Sequence, residues 1–299
     1  MTTISLAIQR AVDSCLGTQK RPFQTIRFRK VWIGLAGYDR PSVIAQVDPL
    51  ISTLLNLQLG KELRVSTDIE LLVSTIANKD QLDSVVVLVA GTGSIAMSYE
   101  RDGDHFKRTG RSGGWGHLLG DDGSGYNVGR EGLRLALQAA DEMALKSNGV
   151  SPLIAAVDPL IAKVFEHFGI SITGGPGTPG PAALLDQVYS TEASGNLPMA
   201  RKIAEVARVV LDMASSSNAA NAIIETASRS LLDTLTSLIK TCRIDPSSSS
   251  LVLAGGLIQN NTYQKLFLEM LSSNSIKFSH IEAVDDPAMI AAKHLFGEV

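Results

Sequence analysis

Cysteine is scarce in this chain of 299 residues, which contains only Cys15 and Cys242. Two distant cysteines without metal-ligating neighbours exclude a disulfide scaffold, a zinc ribbon and a cysteine-ligated iron–sulfur site within the chain. Because so few thiols fit a reducing compartment, we expect a cytoplasmic protein.

Long apolar runs and an excess of positive charge are also missing. The longest apolar run, VVVLVA at 85–90, is far shorter than the roughly 20 residues of a transmembrane helix, and the N-terminus lacks the apolar stretch of a signal peptide. The chain has 27 basic and 30 acidic residues, and its one basic stretch, 20–30, is expected to be a solvated face. Neither a membrane nor a nucleic acid is therefore expected as a partner.

The chain does have enough apolar sequence for a large core. At 44% hydrophobic and 19% charged residues, it predicts a soluble protein with two lobes. After a helix at 3–16, strand and helix patterns alternate, which predicts an α/β lobe with parallel strands. The predicted strands are 30–37 and 62–68, and the predicted helices are 69–79 and 42–55, the latter bent or divided at Pro49.

A second sheet is predicted from residue 84 onwards. Three strands joined by tight turns within 84–110 are expected to be antiparallel. Residues 169–181, with five glycines and three prolines, predict a flexible surface insertion. The later predicted elements are helices at 131–147, 198–214 and 221–240, a strand at 250–260, a helix at 262–273, a strand at 276–282 and a helix at 287–296.

Two glycine motifs follow apolar strands. The segment Gly91-Thr92-Gly93-Ser94 could turn several backbone N–H groups towards a phosphate, or it could be a glycine-rich hairpin. Gly255-Gly256 could let a flat ring or a phosphate approach the backbone, or could only pack a strand against a helix. Taken singly, each motif leaves both interpretations open.

Asp68 lies where a predicted parallel strand meets a helix, the end of the strand at which open α/β sheets place ligands. A carboxylate there could remove a proton from a substrate hydroxyl. Aspartate is also a favoured N-cap residue, so Asp68 could serve the following helix without any catalytic role.

The segment GGWGHLLGDDGSGY, at 113–126, concentrates glycine and acid before a helix. Asp121 and Asp122 in such a loop could accept sugar hydroxyls or organise the water ligands of a metal. Trp115 could stack on a sugar or fill the core beneath the loop. His117 is expected to be structural, because no second histidine or cysteine lies at metal-ligand spacing.

In their order along the chain, these motifs resemble the N-acetylglucosamine kinase family, within the BadF/BadG/BcrA/BcrD group of the actin-like, sugar-kinase and Hsp70 ATPase superfamily. The resemblance covers nearly the whole chain, and residues 113–126 are its most specific motif. It implies a two-lobed, actin-like (ribonuclease H-like) α/β fold. The implied activity is phosphorylation of N-acetyl-D-glucosamine at the 6-hydroxyl, with ATP and Mg²⁺.

The resemblance also implies a role for each motif. Asp68 corresponds to the base that deprotonates the sugar hydroxyl. The positions that correspond to ATP-binding residues are Gly91, Thr92, Gly93, Gly255 and Gly256. Those that correspond to sugar-binding residues are Ser94, Gly114, Trp115, Gly116 and Asp121.

The sequence departs from the family at its beginning, where family members carry a β-hairpin with an acidic, glycine-rich phosphate loop. We therefore expect residues 1–83 to form an incomplete first lobe, with a C-terminal helix at 286–299 packing back on it, and residues 84–285 to form the second. Strand 30–37 would then have one unpaired edge, which favours aggregation or a partner, and a homodimer is a candidate assembly. A sugar-binding or regulatory relative without ATP binding is the alternative function. A reductase-activating ATPase is disfavoured, because that branch of the group needs cysteines for a cluster between subunits and neither Cys15 nor Cys242 is in a suitable loop.

Overall fold

The computed structural model describes residues 3–38, 40–76, 82, 84–103, 105–146, 158–170, 181–190 and 198–296. Within the chain, two compact units are distinguished. The first unit combines Met1–Thr75 with Pro287–Val299, and the second is Ile76–Asp286.

Helices and strands alternate through most of the described chain. The strands are β1 (Val31–Leu35), β2 (Leu63–Thr67), β3 (Ser84–Ala90), β4 (Ser94–Asp102), β5 (His105–Gly113), β6 (Ser249–Ala254) and β7 (His280–Val284). The helices are α1 (Thr3–Leu16), α2 (Pro41–Leu55), α3 (Asp68–Val73), α4 (Gly125–Lys146), α5 (Pro159–His167), α6 (Pro181–Tyr189), α7 (Met199–Asp212), α8 (Asn218–Cys242), α9 (Asn261–Ser273) and α10 (Pro287–Phe296). No helix of the described residues is long and apolar enough to cross a membrane.

The first unit contains a two-stranded parallel sheet, β1 beside β2, as the alternating pattern predicts. The buried core of this unit consists of Ile51 in α2, Leu57 between α2 and β2, and Leu63 in β2. Helices α3 and α10 pack on β1. The close approach of α3 requires Gly34, because a β-carbon at this position would lie 2.5 Å from Leu71 Cδ1 and 2.9 Å from Asp68 Cα.

The second unit is built on a five-stranded sheet in the order β5-β4-β3-β6-β7. β3, β4 and β5 are antiparallel neighbours, as the tight turns predict, whereas β3–β6 and β6–β7 are parallel pairs. Strand β6 is completely buried, and most of β3 is buried too. The carboxyl ends of two central parallel strands therefore meet at the same edge of the sheet.

Several predicted boundaries are wrong. Pro49 does not divide α2, which continues through it to Leu55. Helix α4 begins at Gly125, six residues before the predicted start, and its first turns use glycine where α7 packs closely, since a β-carbon on Gly132 would lie 2.8 Å from Val210 Cγ2. The last strand is β7 at His280–Val284 rather than 276–282. Residues 171–180 of the predicted insertion and 77–79 of the predicted helix 69–79 lie outside the described residues.

Candidate functional site

The two glycine motifs meet at the carboxyl ends of β3 and β6. The parallel register pairs Val89 with Ala254, so the segments that follow these residues emerge side by side. Gly255 has a φ of 101°, and a β-carbon there would lie 2.6 Å from the Ala90 carbonyl oxygen. A β-carbon on Gly91 would be 3.7 Å from Gly255 Cα. The backbones of the two motifs therefore lie side by side at this edge of the sheet.

The first turn of α4 holds the glycine turn that follows β3. The Gly125 N–H donates to the Gly91 carbonyl at 2.7 Å, and the Tyr126 N–H donates to the Thr92 carbonyl at 3.1 Å. The Gly91 N–H donates to the Gly93 carbonyl at 2.9 Å. These bonds fix the turn, while the Thr92 side chain stays exposed. The backbone conformation of the turn is therefore set before any ligand binds.

A cavity of about 280 Å³ opens beside these glycines. Gly91, Thr92 and Gly256 line it, together with residues of α7 and α4. From α7 come two arginines, a glutamate and three apolar residues: Arg201, Ala204, Glu205, Ala207, Arg208 and Leu211. Two guanidinium groups and one carboxylate of α7 line the cavity, so this wall favours an anionic ligand.

Sequence reasoning missed the α7 wall. Arg201, Glu205 and Arg208 are spaced by four and three residues, which is the spacing of any solvated helix face. The sequence has no local signal that would separate such a face from a ligand wall. Only the packing of α7 beside α4 places these side chains next to the glycine turn.

Asp121 lies against the same glycine turn. Its φ is 60°, and its Oδ1 accepts a long hydrogen bond of 3.4 Å from the Ser94 N–H. A β-carbon on Gly93 would be 2.7 Å from Asp121 Oδ2, so glycine at 93 is what lets the carboxylate approach. The buried Ser94 hydroxyl donates to the Asp122 carbonyl at 2.7 Å. The structure thus brings the 91–94 and 113–126 motifs together.

A buried tyrosine anchors the acidic loop from below. The Tyr263 hydroxyl donates to the Gly123 carbonyl at 2.8 Å, across 140 positions of sequence. The Gly123 N–H donates to Asn127 Oδ1 at 3.1 Å. Burial raises the pKa of Tyr263, so its hydroxyl stays protonated and remains a donor. The backbone that follows Asp121 and Asp122 is therefore fixed to the core of the second unit.

Residues 113–120 present an ordered but exposed apolar surface. Gly113, Gly114 and Gly116 have positive φ values, and the Arg111 guanidinium donates to the Gly113 and Gly114 carbonyls at 3.2 and 2.5 Å. Trp115 is 68% exposed, so the interpretation of Trp115 as a core residue is wrong. Leu118 and Leu119 are 84% and 79% exposed. The His117 ring contacts the Tyr126 ring, with centroids 5.0 Å apart and the ring planes tilted by 55°.

Asp68 belongs to the first unit, whereas the other predicted site residues belong to the second. It follows β2 directly and is exposed. It is the first residue of α3, whose N-cap residue is Thr67, so the N-cap interpretation of Asp68 is wrong. Its Oδ1 accepts a local hydrogen bond of 3.1 Å from the Ile69 N–H. The second carboxylate oxygen makes no described bond, so the carboxylate can accept a proton.

Comparison with known proteins adds independent information. The model of the BadF/BadG/BcrA/BcrD ATPase family matches residues 17–292. The chain is 26% identical over 260 residues to an N-acetylmuramic acid/N-acetylglucosamine kinase of Clostridium acetobutylicum, covering 86% of this chain and 74% of that protein. It is also 26% identical over 265 residues to an N-acetyl-D-glucosamine kinase of Dictyostelium discoideum, covering 88% and 73%.

Two solved structures have a similar fold. One is a proposed N-acetylglucosamine kinase of Porphyromonas gingivalis, with a TM-score of 0.60, 17% identity, and coverage of 98% of this chain and 85% of that one. The other is from Chromobacterium violaceum, with a TM-score of 0.58, 20% identity, and coverage of 98% and 87%. The prediction of an α/β fold of the actin-like ATPase type is therefore confirmed.

Proposed function

Because the chain belongs to the BadF/BadG/BcrA/BcrD ATPase family, we propose that it is a sugar kinase that transfers the γ-phosphate of ATP to the 6-hydroxyl of N-acetyl-D-glucosamine. The names of its relatives support an amino sugar as the substrate. The observation that carries the proposal is the meeting of Gly91–Ser94, Gly255-Gly256 and Asp121 at one edge of the second unit's sheet.

The nucleotide is proposed to bind in the cavity beside the glycine turn. Backbone N–H groups of Thr92 and Gly93 can donate to phosphate oxygens, because glycine leaves the backbone unobstructed. Gly255 and Gly256 let the adenosine lie close to the end of β6. Arg201 and Arg208 supply positive charge on the opposite wall. Together they suit an anionic ligand with a flat ring.

Mg²⁺ is proposed to enter with ATP. Within the described ranges there is no group of three or more histidine, cysteine, aspartate or glutamate side chains that could hold a metal ion. Mg²⁺ usually keeps several waters and binds through substrate phosphates and one or two carboxylates. We propose that Asp121, which lies against the turn at Gly93, accepts hydrogen bonds from the water ligands of the ion. The ion would neutralise charge on the transferred phosphoryl group.

The sugar is proposed to lie on the loop at 113–121. Backbone at Gly114 and Gly116, the Ser94 hydroxyl and the Asp121 carboxylate offer hydrogen bonds to hydroxyl and acetamido groups. The exposed indole of Trp115 offers a face for the apolar side of the ring. This set is chemically suited to an uncharged, hydroxyl-rich ligand.

Asp68 is proposed as the general base. Its carboxylate takes the proton of the 6-hydroxyl while the oxygen attacks the γ-phosphorus, and the bond from that phosphorus to the leaving oxygen of ADP breaks. Phosphoryl transfer needs positioning and charge neutralisation more than covalent chemistry. Glycine turns, one carboxylate base and Mg²⁺ are therefore sufficient for the proposed phosphoryl transfer.

The test is incubation of the protein with ATP, Mg²⁺ and N-acetylglucosamine, with product identification by phosphorus NMR and mass spectrometry. We expect ADP and the 6-phosphate of the sugar in equal amounts. N-acetylmuramic acid and glucosamine, offered in parallel, report which amino sugar is preferred. Absence of phosphorylated sugar, with calorimetry showing sugar binding but no nucleotide binding, would refute the kinase proposal and favour a sugar-binding protein.

A further inference from the structure

Arg111 holds the backbone at the start of the loop at 113–121. It lies near the end of β5, where it pairs across the ladder with Met97. Its side chain folds over the residues that follow it: Nε donates to the Gly113 carbonyl at 3.2 Å, and Nη2 donates to the Gly114 carbonyl at 2.5 Å. One planar guanidinium thus binds two consecutive carbonyls, which its fork of donors allows.

The backbone needs this support because it leaves the β5 ladder here through two glycines. Gly113 and Gly114 have φ values of 73° and 72°, in the left-handed region that glycine enters readily. Because glycine has so much conformational freedom, two in succession do not define the path of the chain by themselves. A β-carbon on Gly114 would lie 2.4 Å from Ile95 Cδ1, so Ile95 confines the segment on one side. The two hydrogen bonds from Arg111 select one conformation within that space.

The direction of the two carbonyls also fixes two N–H groups. No cis peptide bond occurs in the part of the chain that the structure describes, and in a trans peptide the N–H points opposite to the carbonyl of the same unit. Because the Gly113 and Gly114 carbonyls face the guanidinium, the N–H groups of Gly114 and Trp115 point away from it. Neither N–H group donates to another residue within the described ranges. Both are therefore available to an acceptor on a ligand.

We propose that Arg111 is a positioning residue for the sugar, because it turns the N–H groups of Gly114 and Trp115 towards the acetamido carbonyl of the amino sugar. This inference rests on the proposed function. A carbonyl oxygen has two lone pairs and can accept from both N–H groups. A protonated amino group in its place has donors only, so the arrangement favours an N-acyl sugar over the free amine. Arg111 acts through the backbone and does not itself touch the ring.

The other residues of the proposed sugar site adjoin these N–H groups. The β4–β5 ladder pairs Gly113 with Ile95, which follows Ser94 in the chain. The Ser94 N–H donates to the Asp121 carboxylate at 3.4 Å, so both residues lie at the same end of the ladder. The exposed Trp115 indole belongs to the residue that carries the second N–H group. A sugar stacked on this indole therefore has its substituents beside both donors.

The role predicts an effect on sugar binding rather than on the chemical step. The two N–H groups contact a substituent that does not react, so their hydrogen bonds are equal in the ground state and the transition state. Loss of such uniform binding raises KM and leaves kcat unchanged. The nucleotide is proposed to bind at the glycine turn at 91–94, which Arg111 does not hold, so KM for ATP is expected to stay the same.

Steady-state kinetics of Arg111→Met test this split. Methionine keeps an unbranched side chain on the strand but has no donor, and we expect KM for N-acetylglucosamine to rise about tenfold. Arg111→Lys, with one ammonium in place of the fork, is expected to fall between Arg111→Met and the natural chain. Lys107→Gln, which removes a positive charge from an exposed position of the same strand, is the matched control. An unchanged KM for the sugar, an equal rise in KM for ATP, or the same effect from Lys107→Gln would overturn the proposal.

Tryptophan fluorescence tests the loop without catalysis. The chain has two tryptophans, so Trp32→Phe leaves Trp115 as the single reporter. In this background we expect Arg111→Met to lower the fluorescence anisotropy of Trp115, because the loop moves on the nanosecond timescale once its carbonyls are released. Added guanidinium ion, at a concentration too low to unfold the protein, is expected to restore part of the anisotropy. Equal anisotropy with arginine and with methionine at position 111 would refute the role of Arg111.

The experiments separate this inference from the proposed function. Calorimetry that detects no amino sugar on the natural chain would refute the proposed function and the positioning role together. Sugar phosphorylation by the natural chain, with an unchanged KM in Arg111→Met, would refute the positioning role alone. Glucosamine, which lacks the acyl carbonyl, identifies the group recognised, because we expect Arg111→Met to lose affinity for N-acetylglucosamine only. An equal loss for both sugars would overturn the assignment of the acetamido carbonyl.

Discussion

At the scale of single residues, Asp68 is our proposed catalytic base, and it is not the N-cap residue of α3. Thr67 is the N-cap residue of α3, and among the residues that the structure describes, Asp68 accepts from the neighbouring Ile69 N–H alone. An asparagine oxygen can accept that same bond but cannot take a proton at neutral pH. Catalytic and structural roles of this residue can therefore be separated by one substitution.

We expect Asp68→Asn to lower kcat by about 10²–10⁴-fold and to leave the free energy of unfolding unchanged. Steady-state kinetics and urea denaturation measure the two quantities. Glu70→Gln is the matched control, because Glu70 lies in the same helical turn, where it pairs with Arg64 at 3.6 Å and accepts from the Thr67 hydroxyl at 3.4 Å. Glu70→Gln is expected to keep its kcat. Equal kcat values for Asp68→Asn and the natural chain would contradict the assignment.

Tyr263 is expected to position the acidic loop. Tyr263→Phe leaves the Gly123 carbonyl without its buried donor, which costs about 1–3 kcal/mol of the free energy of unfolding. Because Asp121 lies in the same loop, we also expect KM for the sugar to rise, with a smaller change in KM for ATP. Tyr189→Phe, which removes a hydroxyl from a side chain that is 63% exposed, is the control. Identical kinetics and stability for both variants would refute this role.

At the scale of elements, most helices and strands were predictable, and the errors have physical causes. Strand–helix alternation predicted β1, α2, β2 and α3 because apolar residues recur at the spacing of their buried faces. The prediction that Pro49 could divide α2 was wrong, since the helix is continuous from Pro41 to Leu55. The predicted position of β7 was wrong because pairing with β6 selects the strand, rather than the alternating pattern Ile276-Lys277-Phe278.

The contact of α10 with β1 makes the first unit sensitive to acid. His294 of α10 lies with its ring centroid 6.3 Å from that of Trp32. Burial and the nearby Arg64 guanidinium lower the pKa of His294. The unfolded chain, with a histidine pKa of about 6.5, therefore binds more protons than the folded chain as pH falls below that value. The contribution of His294 to the free energy of unfolding is therefore fully present about one pH unit above that value and is lost as the pH falls through it towards the lower pKa of the folded chain.

We expect urea denaturation, followed by Trp32 fluorescence in a Trp115→Phe background, to show a loss of stability between about pH 7.5 and pH 5. His294→Gln cannot be protonated in this range, so its loss is expected to be smaller. The same pH dependence in both chains would show that His294 is not responsible.

At the scale of the whole molecule, the cavity that we propose for the nucleotide depends on segments that are distant in sequence. Gly91, Arg208 and Gly256 come from three separate elements of the second unit. A ligand that binds only the folded chain raises the free energy of unfolding, by about 2.7 kcal/mol at 100 times its Kd. Thermal unfolding therefore reports nucleotide binding independently of catalysis.

We expect Mg²⁺ with a non-hydrolysable ATP analogue to raise the midpoint of thermal unfolding. Arg208→Ala and Arg201→Ala are expected to reduce that shift without changing the midpoint of the free protein, because both side chains are exposed. Lys163→Ala, on α5 and paired with Glu166, is the control that keeps the full shift. Equal shifts in all variants would exclude the α7 wall from the nucleotide site.

The sequence by itself determined most of the strands, the glycine turns and the position of Asp68, because these depend on local periodicity and on backbone freedom. It left the meaning of each glycine motif open, since a turn of this kind binds a ligand or packs a helix with the same residues. The tertiary structure decided that Gly91 and Gly255 are neighbours, that Asp121 lies against Gly93, and that α7 supplies a charged wall. Those contacts join residues far apart in the chain, so only strand pairing and helix packing could set them.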